Sequence, residues 1–349
     1  MKILVTGHLG YIGTVLVPIL LRRGHEVVGM DADWYNRCTF GDPRQIAEVP
    51  NLARDIRDAT VSDLKGFDTI MHLAALSNDP LGNYNPELTD EINHRATVRL
   101  AEVAREAGVR HFIFSSTCSN YGVAGDAFND ENSSFNPYTP YARAKVAAEL
   151  ALRPMNDERF AVTLMRSATA FGYSPRIRWD LVLNNLTAHA ATTGRIYLKS
   201  DGTPWRAIVH IEDISRAFVS VAEAPREVVA GQAFNVGQTQ ENYRVRQIAE
   251  MVAQVVPGSR IEYAPDAGPD PRCYRVNCDK LSRMVPAYQP KWTARAGIEQ
   301  VYQAIRQYGL SAEEFEGPRY ARLPHIKQLI ADGVMNDRFR FTKQAQRAA

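Results

Sequence analysis

The sequence has no apolar run long enough to cross a membrane. Such a helix needs about 18 residues, and the nearest candidate, Val15 to Leu21, is broken by Pro18 and followed by Arg22 and Arg23. A basic and apolar leader is missing too, because the opening MKILVTG reads directly as a strand. Cysteine is scarce. Cys38, Cys118, Cys273 and Cys278 are too few in 349 residues to make a disulfide framework. Cys273 and Cys278 lack zinc-type spacing and a second pair, so no metal is expected. Charge of one sign is also lacking. Lysine and arginine number 41 against 39 aspartates and glutamates, a net of +2 with no like-charge block, which excludes a nucleic-acid tail. No internal repeat or low-complexity segment stands out. The expectation is a reduced, cytoplasmic protein with neither membrane nor nucleic acid as partner.

What is present supports a large core. Hydrophobic residues make up 45% and charged residues 23%, which excludes global disorder. At about 150 residues per domain, the length predicts about two domains.

The first thirty residues carry a compact signal. Lys2 to Thr6 is apolar and β-branched, as a buried parallel strand should be. GHLGYIG follows, with Gly7, Gly10 and Gly13. Thr14 to Arg23 reads as a helix stopped by Gly24, and Glu26 to Met30 as a strand ending at Asp31. Gly7 lets the chain turn tightly, Gly10 lets backbone approach a pyrophosphate, and Gly13 lets helix and strand pack closely. The helix N-terminus then faces the phosphates. Asp31 comes about twenty residues after the glycines begin, where a carboxylate accepts both ribose hydroxyls. It also repels a 2′-phosphate, so the cofactor reads as NAD rather than NADP.

Strand and helix patterns alternate to about residue 170. Thr69 to Leu73, His111 to Phe114 and Val162 to Arg166 read as strands, and Pro86 to Ala107 and Pro140 to Leu152 as helices. This predicts an α/β fold, a Rossmann-like doubly wound parallel sheet over residues 1–172 with later segments returning to it. After Gly172 the pattern loosens. Helices are expected at Asp180 to Thr192, Asp213 to Ala224, Arg244 to Val255 and Thr293 to Tyr308, with short strands at Ile196 to Leu198 and Ala233 to Val236. Residues 173–310 are read mainly as a smaller C-terminal substrate-binding domain. Pro265 to Pro271 reads as a turn-rich loop, and 311–349 as a charged, helix-like extension without an assigned role.

Tyr141 and Lys145 stand four apart in YARAK, on one face of a predicted helix. An ammonium nearby favours the phenolate and lowers the tyrosine pKa. Such a tyrosine exchanges a proton with an alcohol oxygen while hydride moves to or from nicotinamide. Thr117 ends the SST that follows a strand, where the ligand crevice of a doubly wound sheet lies.

With GHLGYIG, Asp31, Asp55-Ile56, HLAA (His72 to Ala75), Asn93, SST at 115–117, Tyr121-Gly122 and YARAK in order, the sequence resembles the extended short-chain dehydrogenase/reductase family. Within it the resemblance is to the NAD-dependent nucleotide-sugar epimerase/dehydratase group, from Met1 to about Tyr308. That resemblance implies Thr117, Tyr141 and Lys145 as the catalytic trio. It implies NAD contacts from Gly7, Gly10, Tyr11, Ile12, Gly13, Asp31, Asp55, Ile56, Leu73, Ala74, Ala75, Ser115 and Ala168, with Asn93 steadying the loop nearby. It implies a nucleotide-diphosphate sugar held by Ser77, Cys118, Ser119, Thr169 and Asn185, with Arg206 and Arg272 on the diphosphate. Ser77 to Tyr84 and Arg176 to Trp179 would shape the sugar site. The helices at 86–107 and 140–152 resemble those that pair in the family's homodimers.

Departures from the family pattern narrow the chemistry. Dehydrating members resemble one another in carrying Asp-Glu after the threonine, and decarboxylating members keep the glutamate. Cys118 and Ser119 stand there instead. This leaves epimerisation through a transient keto-sugar as the expected reaction. A keto-sugar reductase, a decarboxylase or dehydratase, and a non-catalytic NAD-binding regulator stay open. Cys118 reads either as a second acid/base or as a buried hydrophobe. Thr169 and Ala207 replace the family's asparagine and aspartate, so UDP-glucose does not follow as the substrate.

Overall fold

The computed structural model describes residues 1–268 and 273–342. At its centre is a six-stranded parallel sheet. Its strands lie in the order Ala233–Val236, Ala161–Ser167, His111–Thr117, Thr69–His72, Lys2–Thr6, Glu26–Met30. Side chains alternate across it, as the two-residue period of a strand requires. Ile3 and Val5 face one core with Leu16, Leu20 and Phe218; Leu4 faces the other with Leu100, Phe112 and Leu152. The helices Gly13–Arg22 and Ile211–Glu223 cover the first face, and Ala96–Glu106 and Pro140–Leu152 the second.

The chain runs out of the sheet at Thr6 into the glycine turn. Gly7 has φ of +73°, and a Cβ there would meet the Ala74 backbone nitrogen at 2.8 Å. A Cβ on Gly13 would lie 2.4 Å from the Gly7 carbonyl oxygen. Neither position admits a side chain without moving backbone. The helix expected at Pro86 to Ala107 contains a wider turn at Glu91–Arg95 between Pro86–Asp90 and Ala96–Glu106. Asn93, within that turn, bonds both the nitrogen and the carbonyl oxygen of Leu76, at 2.8 and 2.9 Å.

A second lobe packs the helices Val182–Thr193, Val245–Val255 and Ala294–Tyr308 around Leu183, Ile208, Ile248 and Ile298. Its strands include Trp205–His210, Arg195–Ser200 and Arg260–Gly268. That last strand corrects the reading of Pro265 to Pro271 as a loop. Residues 265–268 extend a strand paired with Arg195–Ser200, and 269–271 lie outside the described residues. The extension is built into the molecule. Its residues Ile326, Leu329, Met335 and Phe339 join the core on the second face of the sheet. Among the described residues, no helix is long and apolar enough to cross a membrane.

Candidate active site

The strands Lys2–Thr6, Thr69–His72 and His111–Thr117 end at one cavity of about 1000 Å³. The glycine turn lines it with Gly7, Gly10, Tyr11, Ile12 and Gly13. Asp31 lies beside it, its carboxylate fixed by the backbone amides of Leu9 (3.0 Å) and Asp33 (2.8 Å). Desolvation pushes the Asp31 pKa up; the backbone amides and Arg176 oppose it. Leu73, Ala74 and Ala75 continue the lining, as do Asp55 and Ile56. Asp55 is paired with Arg57 at 2.7 Å.

Helix Pro140–Leu152 supplies the next part. Thr139 caps it through the Ala142 amide, and Pro140 fits its first turn. Tyr141, Lys145 and Glu149 share a face at four-residue spacing. Lys145 is buried, and Nζ donates to the Ser115 carbonyl oxygen at 2.6 Å. Nζ lies 5.9 Å from the Tyr141 ring centroid. Burial pulls the Lys145 pKa down to about 7, against the attraction of Glu149. Glu149 is itself paired with Arg166 at 2.7 Å.

Tyr141 differs from the expectation. Desolvation raises its pKa to about 12. Arg178 and the Thr117 hydroxyl oppose that rise, and Asp79 and Tyr274 add to it. The ammonium donates to the Ser115 carbonyl, and the Arg178 guanidinium is a further cation that acts on the phenol. Arg178 holds Asp180 through two contacts, of 2.6 and 3.1 Å, and donates to the Ser77 hydroxyl at 3.0 Å. Asn78 also donates to Asp180 at 2.7 Å. Burial works against the Asp180 charge, but Arg178 and Asn78 prevail and hold its pKa at about 2. Ser77, Asn78 and Arg178 fall in the segments expected to shape the sugar site; Asp180, which joins them, is the member that motif reading left out. Of Arg176 to Trp179, Arg178 alone lines the cavity; Arg176 pairs with Asp33, and Ile177 and Trp179 are core.

The remaining candidates divide. Ser77, Ser115, Thr117, Ser119, Ala168, Thr169, Asn185 and Arg206 line the cavity. Cys118 does not, which corrects its placement at the substrate. It is fully buried, and Sγ donates to the Arg166 carbonyl oxygen at 3.0 Å. Burial raises its pKa well above the usual thiol range, so it is core and not an acid or base. The strand ends at Thr117 and a tight helical turn, Cys118–Tyr121, turns Cys118 inward while Ser119 reaches the cavity, so strand periodicity gives no guide there. Arg272 falls outside the described residues. Tyr274 and Arg322 also line the cavity and belong to no motif read above.

Glycines that a side chain would block, an anchored carboxylate and a helix starting at Gly13 are the parts a dinucleotide diphosphate and ribose require. The pattern defining the NAD dependent epimerase/dehydratase family matches residues 3–237. The chain belongs to that family. It is an NAD-dependent enzyme, and the glycine turn and Asp31 fit that cofactor. A UDP-glucose 4-epimerase of Mycolicibacterium smegmatis is 31% identical, covering 88% of this chain and 99% of that one. UDP-glucuronic acid decarboxylase 1 of Arabidopsis thaliana is 26% identical, covering 91% of this chain and 72% of that one. Among solved structures, MoeE5 in complex with UDP-glucuronic acid and NAD superposes with a TM-score of 0.76. That match has 25% identity and covers 88% of this chain and 99% of that one.

Proposed function

We propose that this family member is a nucleotide-sugar epimerase that oxidises a sugar carbinol transiently and reduces it from the opposite face. The observation that carries this reading is the meeting of Thr117, Tyr141 and the glycine turn on one cavity, while Cys118 is buried away from it. Tyr141 takes the carbinol proton and returns it. Thr117 holds the same oxygen by its hydroxyl. Arg178 favours the phenolate that the proton transfer needs. Lys145, fixed on the Ser115 carbonyl, holds the nicotinamide ribose. NAD, when bound, supplies the hydride acceptor and a positively charged ring. Asn185 and Arg206 take the nucleotide diphosphate, the guanidinium fork suiting two phosphate oxygens. The relatives named above support a UDP-sugar as the first substrate class to test.

Asp79 favours a second reading. It lines the cavity and acts electrostatically on Tyr141, so it is in place to move a second proton in a dehydration. One experiment separates the two. The purified protein is given UDP-hexoses in deuterated water, without added cofactor. The epimerase reading expects an isomer of unchanged mass with no deuterium at carbon. A product lighter by one water favours dehydration through Asp79. In a second assay with a nucleotide-linked keto-sugar, stoichiometric consumption of added NADH favours a reductase.

We also propose a homodimer through the helices at 86–106 and 140–152. Leu150 on the second of these helices and Tyr138 just before it are exposed, at 55% and 56%. Light scattering that gives a monomer at working concentration overturns it.

A further inference from the structure

Arg322 lines the cavity although it stands beyond Tyr308, where the family motifs end. It begins the helix Arg322–Ala331 and is 6% exposed. Its guanidinium lies 3.8 Å from the Tyr35 ring centroid, and Nη2 donates to the Arg176 carbonyl oxygen at 3.3 Å. Nη1 is buried without a hydrogen-bond partner. Among the described residues the neighbouring arginines are paired, Arg178 with Asp180 and Arg176 with Asp33, but Arg322 has no carboxylate within ion-pair distance. A buried guanidinium with a free donor is costly unless an anion meets it.

Contacts that do not involve Arg322 hold it in place. His325 bonds the Trp34 carbonyl oxygen at 2.9 Å, and Phe339 meets the Trp34 ring edge-on at 5.9 Å. Arg57 donates to the Arg338 carbonyl oxygen at 2.9 Å, and Arg338 and Arg340 pair with Glu91 and Asp58. The extension thus grips the loop that begins at Asp31. Arg322 lines the cavity from the Tyr35 side, whereas Lys199 and Arg206 enter from strands of the other lobe. The glycine turn GHLGYIG carries no lysine or arginine. Its helix N-terminus supplies only about half a positive charge, less than a diphosphate carries.

We propose that Arg322 is a ligand of the dinucleotide's diphosphate, which makes the C-terminal segment part of the cofactor site. The inference rests on the NAD dependence of the family and adds a residue to it. The test uses the full chain freed of NAD and titrated with ADP-ribose, NAD and UDP. In Arg322→Met, affinity for ADP-ribose and NAD is expected to fall tenfold to a hundredfold. Arg322→Lys recovers part of the loss, and UDP affinity stays within twofold in both. Unchanged ADP-ribose affinity overturns the proposal. So does a loss confined to UDP, which moves Arg322 to the substrate's diphosphate. Should Arg322→Met fail to fold, hydrogen exchange on the native chain decides. ADP-ribose is expected to slow exchange across 319–331, and no slowing overturns the assignment. A native chain that binds neither NAD nor ADP-ribose overturns the cofactor reading itself.

Discussion

Two parts of the cavity lining are made differently. Around Gly7, Gly13 and Ala74 the lining is backbone, packed so closely that one added carbon would strike a neighbour. Around Arg178, Asp180 and Ser77 it is polar and charged, held by side chains from segments far apart in the chain. The backbone part is rigid because nothing there can rotate, and it suits the invariant diphosphate and ribose of a cofactor. The charged part depends on mutual pairing. Changing one member alters the potential of the others, which suits tuning of a reacting tyrosine. Tyr141 stands between the two, touched by Thr117 from the sheet and influenced by Arg178 from across the cavity.

That division can be broken or sharpened by experiment. The largest expected effect is at Tyr141. Tyr141→Phe should keep NAD and lose about 10²–10⁴-fold in turnover; near-normal turnover removes it from its role. Next is the backbone part. Gly13→Ala puts a Cβ against the backbone of Gly7 and His8, and roughly 1–3 kcal/mol of stability should go, together with NAD retention. A variant that melts and binds NAD like the native chain would show that the turn is not rigid. Asp31→Ala should weaken NAD by about tenfold through lost charged hydrogen bonds, read by calorimetry. Unchanged affinity refutes the ribose contact.

The smallest effect, counted per pH unit, is a pH dependence. Burial lowers the Lys145 pKa from the ordinary lysine value of 10.5 to about 7 in the folded chain. Between these values the unfolded chain binds the proton and the folded chain does not, so stability rises with pH there. The penalty is full below about pH 7 and is gone above about pH 10.5. Relative to Lys145→Met, the NAD-free native chain should gain about 1 kcal/mol per pH unit between pH 7 and 10. Urea titrations with parallel pH dependences would show that the ammonium is not desolvated.

What could be read in the sequence follows the same division. The turn, its strands and Asp31 are local, and glycine is the one residue that satisfies their geometry, so composition and spacing reveal them. The four-residue step from Tyr141 to Lys145 correctly puts both on one helix face. It does not tell which way an ammonium points, and Lys145 turns to the Ser115 carbonyl. A motif position gives no direction for Cys118, because the strand ends at Thr117 and the tight turn Cys118–Tyr121 sends its thiol into the core. Arg178 reaches Ser77 across 101 residues of chain, and Arg322 reaches the Arg176 carbonyl across 146. No local pattern carries such partners. They follow from how the extension and the loop after Phe171 pack.

The hydrogen bond from Arg57 to the Phe339 carbonyl spans 282 residues. On the ribosome, the glycine turn therefore emerges long before the segment that encloses it. A nascent chain can form its first strands early, but the pocket stays open on one side until the helix at Arg322 has been synthesised. Cofactor loading is consequently a late event in the birth of the molecule. A bulky fusion placed after Thr342 would be felt first at the adenosine end of the pocket, far in sequence from where it was attached.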